Sequence, residues 1–481
     1  MTEHVLRRMG FGASGADLAY YADLPLSSLI SFLVNYEAQP DTVDDRIGDP
    51  AYLGVTARGG PFSANTLISD ARQRELFRMV HSQRPLQEKM ALFWHNHFAT
   101  AYSKVASAFG QEHATKMMAG RRGEIAGDQR GQYETFRQMA TGNVRDLLIE
   151  MAKDPAMLVW LDGRTNTRQR PQENFGRELL ELFTMGVGHF VEQDVYAAAR
   201  VFTGWNLRLA GDRTSASTSY YEFFFNDAQH DVDAKTFTFA IYPDGGRTIV
   251  GRPASQGMQD GVDLITALAR HPATARRLAA TLHAFFVSET TPPSEAFLAD
   301  LSSSYLQGGL NMKAMLRRLF ASSEFLSANA YYSRYSWPVE FAVRAIKETG
   351  WNGLSADAAL TPLANMGQQL YEPPDVNGWA LGAQWFSTAS MLSRMNFAAT
   401  LMLNQKFNLG REVASYRQSP ERLVDYMVNR FTLGPIASDL YGALLEYTRA
   451  GGAWTGNETQ LNNKSAGLAR LIVASAEFQF N

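Results

Sequence analysis

The sequence predicts a mainly α-helical, multi-helical globular protein with one small β-hairpin insertion at 220–250. Three observations carry that prediction. Apolar residues recur at helical spacing through most of the 481 residues. Aromatic and β-branched residues concentrate in strand-like runs only between Tyr220 and Val250. Two stretches of the C-terminal half, 272–326 and 418–479, repeat one order of helix signatures.

The bulk numbers narrow the function classes. A hydrophobic share of 45% with 19% charged residues is that of an ordinary globular chain able to bury a substantial core. Net charge is −3 and no Lys/Arg run occurs, which argues against nucleic acid as a partner. Cysteine is absent, which excludes disulfides, thiolate metal sites and a cysteine nucleophile. Met1–Leu24 lacks a long apolar run behind a basic start, so neither a signal peptide nor a transmembrane segment is expected. The default expectation is cytoplasmic. A periplasmic chain whose leader had been removed would read the same.

Along the chain, His4 to Gly12 ends in a glycine-rich turn, and Ser14 offers an N-cap for a helix through Leu24. The turn is no phosphate loop, because no strand precedes it and no Lys-Ser/Thr follows. Residues 40–61 read as a surface connection. Helical patterns then run from Asn65 to Ser82, from Pro85 toward Phe98, and over 110–150 with a glycine-containing break. A short apolar piece, Met157–Leu161, leads through a polar loop into Glu173–Phe183. On an α-helix, Asn174, Glu178 and Glu181 of this stretch share one stripe with Arg177 at its edge, and Phe175, Leu179, Leu182 and Phe183 lie opposite. The next helix carries Arg200 and ends near Trp205. Tyr220–Phe225 and Lys235–Phe239 are the predicted hairpin strands, joined by a turn holding His230-Asp231.

The repeat begins at Arg276-Arg277-Leu278 and closes on Arg318 to Phe325; its copy runs from Glu421-Arg422-Leu423 to Phe478. The reading is a main domain over 1–405, containing the first three-helix unit, with the second unit at 406–481 packed on it.

Four polar segments are candidates for chemistry. His95 and His97 could share a metal only if the helix ends near Trp94, because on a helix they lie about 200° apart. Glu178 and Glu181 would form an acid–base pair if desolvated together, and a buried Arg–Glu network with Arg177 and Arg200 is the structural alternative. His230 beside Asp231 is a weak signal alone. Tyr371-Glu372-Pro373-Pro374-Asp375-Val376-Asn377-Gly378-Trp379, followed by Trp385, is a stiff aromatic loop. It suits sugar binding or simple packing on the core.

These residues resemble a bacterial family known as domain of unknown function 1800 (DUF1800). The resemblance rests on His4–Gly12, Phe93-Trp94-His95-Asn96-His97-Phe98, Asp154-Pro155-Ala156-Met157 and Glu173–Thr184. It continues through Asp194, Ala199-Arg200, Thr203-Gly204-Trp205, His230-Asp231, Lys235, Pro373–Trp379 and Arg394. It implies a bacterial protein whose relatives are often exported and encoded near a second exported family, DUF1501, which resembles phosphatases and sulfatases. Where relatives are expected to carry a basic residue, this chain has Thr281.

The leading expectation is an enzyme with one pocket that gathers the four segments and acts hydrolytically or lytically on a carbohydrate or cell-envelope substrate. Its catalytic residues would be Glu178, Glu181, His230 and Asp375. Asn174, Arg177, Arg200, Trp205, Asn377, Trp379 and Trp385 would bind substrate. A divalent metal (zinc, manganese or iron) on His95 and His97 is optional. The rivals are a non-catalytic partner or maturation protein for a DUF1501-type protein, and a carbohydrate-binding protein.

Overall fold

Helical spacing in the sequence becomes helix almost throughout. The computed structural model describes residues 1–58 and 60–481, and among these it contains 23 α-helices and two two-stranded sheets. None of the described helices is long and apolar enough to cross a membrane.

The centre of the molecule is charged as well as apolar. All twelve residues of the Pro338–Thr349 helix are buried, and Ile68–His81 and Pro85–Phe98 are buried over most of their length. Buried charges are tolerated only when paired, and these are paired. Glu340 bridges Lys89 and Arg334, the latter at 2.6 Å, while Glu348 receives Arg7 at 2.9 Å and Arg344 at 3.2 Å. Arg78 joins Asp44 (2.6 Å), Glu75 (2.9 Å) and Glu134 (2.5 Å), and Arg137 meets Glu88 at 2.8 Å.

The Thr2–Arg8 helix is threaded into this centre. Its Arg8 donates to the carbonyls of Phe286 (3.0 Å), Val287 (2.7 Å) and Asn481 (2.7 Å). One guanidinium thereby satisfies backbone acceptors at the end of the Pro272–Phe286 helix and at the last residue of the chain, tying together segments more than 270 positions apart in sequence.

The predicted hairpin exists with different strands. β1 (Trp205–Gly211) pairs antiparallel with β2 (Ser219–Phe225), from Trp205 opposite Phe225 to Gly211 opposite Ser219. Lys235–Thr236 (β3) instead pairs with Thr248–Ile249 (β4). The expected pairing of 220–225 with 235–239 is therefore corrected. The short polar connection 212–218 gives β2 a near neighbour in sequence, whereas residues 226–234 are held by a 3₁₀ turn and the burial of His230.

In the C-terminal half, 272–326 contains helices Pro272–Phe286, Glu295–Gln307 and Met312–Ala321. The later stretch contains Pro420–Phe431, Ser438–Arg449 and Glu458–Ala474. A 25-residue helix, Thr388–Glu412, precedes the second set and runs through position 405 without interruption.

Candidate functional site

Glu173–Thr184 does not remain α-helical. Asn174–Glu178 is α-helical, and Leu179–Phe183 widens into a π-turn. The wider turn changes which side chains face the core. Leu179, Leu180 and Phe183 are buried, while Leu182, predicted on the apolar side, is only half-buried. Closure comes from the Gly186 N–H donating to Leu180 O (3.1 Å) and from the Thr184 hydroxyl donating to Leu179 O (2.5 Å). Gly186 has φ +84°, so this turn needs glycine for its conformation, and a Cβ there would also crowd Arg277 Nη1 at 3.2 Å.

On the outer side of the π-turn, Glu178 and Glu181 are half-buried, and neither carboxylate has a hydrogen-bond or ion-pair partner among the described residues. Arg177 is committed elsewhere, to Glu173 at 3.2 Å and to Glu192. Burial, and then the negative charge of Glu181, push the Glu178 carboxyl up; Arg177 offsets part of this. Arg277, from the Pro272–Phe286 helix, is held below the usual arginine range by burial, against the pull of Glu181. Its Nε is sealed from solvent without a partner among the described residues. His97 completes the group. Its Nε2–H donates to Phe183 O at 3.2 Å, and burial followed by the Arg277 charge pushes the imidazole down to about 4. The ring is neutral at pH 7.

The helix carrying the histidines continues to Phe98, so His95 and His97 diverge and do not offer one shared ligand position. His95 lies in a box of aromatic rings from Tyr133, Tyr371 and Trp379, with centroids 4.9–5.5 Å away. Both its ring nitrogens lack partners among the described residues, and burial pushes it down to about 3. Among the described residues, no group of three His, Asp or Glu side chains is arranged to hold a metal ion.

Asn96, between the two histidines, clamps the aromatic loop. Its Oδ1 accepts from the Trp379 N–H at 2.7 Å, and a Cβ at Gly378 would come within 2.4 Å of that same oxygen. Trp379 and Trp385 are buried, with Trp385 against Trp337, and the two line a cleft of about 270 Å³. Asp375 and Asn377 are exposed; Asp375 Oδ1 accepts from the Asn377 N–H at 2.8 Å, forming a local turn.

The His230 segment is a separate, closed knot. His230 is buried, with Nδ1 on Thr203 O (2.8 Å) and Nε2 toward Asp260 Oδ2 (3.3 Å). Asp260 also takes Lys235 at 2.6 Å and Arg252 at 2.9 Å. Arg200 grips Asp231 through two bonds of 2.7 and 3.0 Å, and Trp205 is buried between Phe202 and Phe223. Asn174 donates to Asp162 at 3.0 Å. The expected single pocket is thus not formed. Glu178 and Glu181 lie beside each other on the π-turn that His97 holds through Phe183 O, while His95, His230, Trp205 and Trp379 pack in the interior and Asp375 lies on the surface.

Comparison with known proteins accounts for the motif pattern. A family described as "Protein of unknown function (DUF1800)" matches residues 4–480. The chain belongs to this family. No curated protein and no solved structure matches it.

In this DUF1800 chain, sequence reasoning missed Arg277, assigned to scaffold because it opens a repeat helix. It also missed two buried carboxyls that burial pushes up to about 7: Glu75, on Tyr371 and Arg78, and Asp154, which accepts from Gln132 and caps the Pro155–Trp160 helix. The available signal for Glu75 was the charged run Arg72–Arg78 inside a helix long enough to be central.

Proposed function

We propose that this DUF1800 protein is an acid–base enzyme whose active centre is the outer side of the π-turn. The observation that carries the reading is Glu178, a half-buried carboxyl raised above its ordinary range beside Glu181, with no hydrogen-bond or ion-pair partner among the described residues. Single π-turns inside α-helices are frequent at functional sites. Glu178 holds a proton for a leaving group, Glu181 is the base, and the Arg277 guanidinium faces developing negative charge. Neutral His97 orients the turn through Phe183. Hydrolytic or lytic cleavage of a carbohydrate or cell-envelope polymer is the reaction class this pairing suits. The test is mass spectrometry of products after incubation with peptidoglycan and acidic bacterial polysaccharides. New chain ends released by the wild type, and reduced at least about 100-fold by Glu178→Gln, support the reading. Equal release by both proteins contradicts it.

A second reading rests on a different surface. Leu392, Met395, Leu403 and Phe407 are exposed on the Thr388–Glu412 helix and fall within about 120° of its circumference. That stripe supports a partner-protein role with a DUF1501-type protein. Co-purification lost on Leu403→Glu/Phe407→Glu, with Glu178→Gln still binding, would favour it.

A further inference from the structure

A cavity of about 240 Å³, lined by none of the candidate residues above, is walled by the glycine-rich N-terminal turn and the Pro338–Thr349 helix. It is roomier than the roughly 150 Å³ that holds a benzene ring in an engineered apolar cavity. Its aromatic lining comes from Tyr20, Tyr21, Phe32 and Trp351. Trp351 is fixed by donation of its Nε1–H to Ala51 O at 2.9 Å.

The polar groups of this cavity are unevenly satisfied. Lys347 is 6% exposed, and the nearest carboxylate oxygen to its ammonium is Asp17 Oδ2 at 3.4 Å, longer than a charge-assisted bond of about 2.8 Å. No other acceptor reaches its Nζ among the described residues. Asp17 Oδ2, by contrast, already accepts from the Ser14 N–H at 2.8 Å as part of a capping box. His81 accepts the Leu53 N–H on Nε2 at 2.9 Å. Burial, then the Lys347 charge, keep its ring neutral, so the proton sits on Nδ1, which has no partner among the described residues. The cavity therefore holds a cationic donor that is only loosely ion-paired, at 3.4 Å, with a carboxylate already engaged by its capping box, and beside it the unpartnered His81 Nδ1–H.

We propose that this cavity binds a small amphiphilic carboxylate. Its head pairs with the Lys347 ammonium and the His81 Nδ1–H, and its aromatic or short aliphatic body lies against Tyr20, Phe32 and Trp351. This is a binding site separate from the π-turn and independent of the reaction proposed there.

Isothermal titration of the full chain with phenylacetate, 2-phenylethanol and phenethylamine tests it, since the three share a body and differ in head charge. Phenylacetate is expected to bind at least about tenfold tighter than the other two, and Lys347→Met to weaken it by at least about tenfold. Gln83, exposed at the rim, supplies a variant that leaves the interior intact. Gln83→Trp should block uptake at an unchanged melting temperature. Should Lys347→Met fail to fold, the head-group series and Gln83→Trp decide. Binding of the alcohol as tight as that of phenylacetate, absence of phenylacetate binding at millimolar concentration, or undiminished binding in Gln83→Trp would each overturn the proposal.

Discussion

Two polar clusters, the His230 knot and the π-turn, use their carboxylates differently. In the His230 knot, Asp260 is enclosed and receives Lys235, Arg252 and His230, so its carboxylate is held below the ordinary range by hydrogen bonds and charge despite burial. At the π-turn, Glu178 is half-open to solvent, has no such partner, and is displaced upward. The same residue types thus serve opposite ends. Full pairing makes a carboxylate a structural fastener, while burial without pairing raises its proton affinity above the ordinary carboxylate range.

The largest expected effect lies in the knot. Asp260→Asn leaves Lys235 and Arg252 without their anion in a closed site. Loss of one partner from a buried pair costs about 3–5 kcal/mol, so the melting temperature of a chain this long should fall by about 3–5 °C. Glu178→Gln should instead shift stability by less than about 1 kcal/mol, because no ion pair is broken, while abolishing product release. Similar destabilisation by both would erase the distinction between the clusters.

His95 gives a smaller effect with a definite sign. Burial depresses its pKa from 6.5 to about 3. The unfolded chain therefore takes up a proton below pH 6.5 that the folded chain refuses. Its contribution to stability is fully present above pH 6.5 and is lost as pH falls toward 3. His95→Phe, which removes two unpartnered nitrogens, should leave stability at pH 7.5 within about 1 kcal/mol and flatten the loss between pH 6 and 4. Thermal denaturation across that range is the check; an unchanged acid limb would show that His95 is not the buried neutral ring described. A modest effect confined to stability is expected for Thr184→Val, which deletes the hydroxyl donor to Leu179 O and should cost about 1 kcal/mol in melting experiments.

How far the amino-acid sequence reaches differs between these regions for physical reasons. Helical periodicity identifies the class of fold, because apolar spacing reports directly on which faces are buried. It also finds Glu178 and Glu181, three positions apart on one side. The π-turn itself escapes, since nothing in Leu179–Phe183 marks the wider hydrogen-bonding pattern, which closes only through Thr184 and Gly186. β1 escapes because the helical pattern through Arg200 runs on to Trp205 and masks the strand-like alternation of Trp205-Asn206-Leu207-Arg208-Leu209. The knot escapes because Asp260 stands 25 residues from Lys235 on a helix with no other unusual feature. Trp379 announces aromaticity, but only its backbone bond to Asn96 reveals that it faces inward toward His95.

The most direct test of the central claim is a carboxyl-carbon NMR titration of ¹³C-glutamate-labelled protein, with Glu178→Gln to assign the resonance. The account predicts a resonance titrating above the ordinary glutamate value of 4.5, absent in Glu178→Gln and moved downward by Glu181→Gln. A Glu178 resonance that titrates at or below 4.5, or one that Glu181→Gln leaves in place, would contradict it.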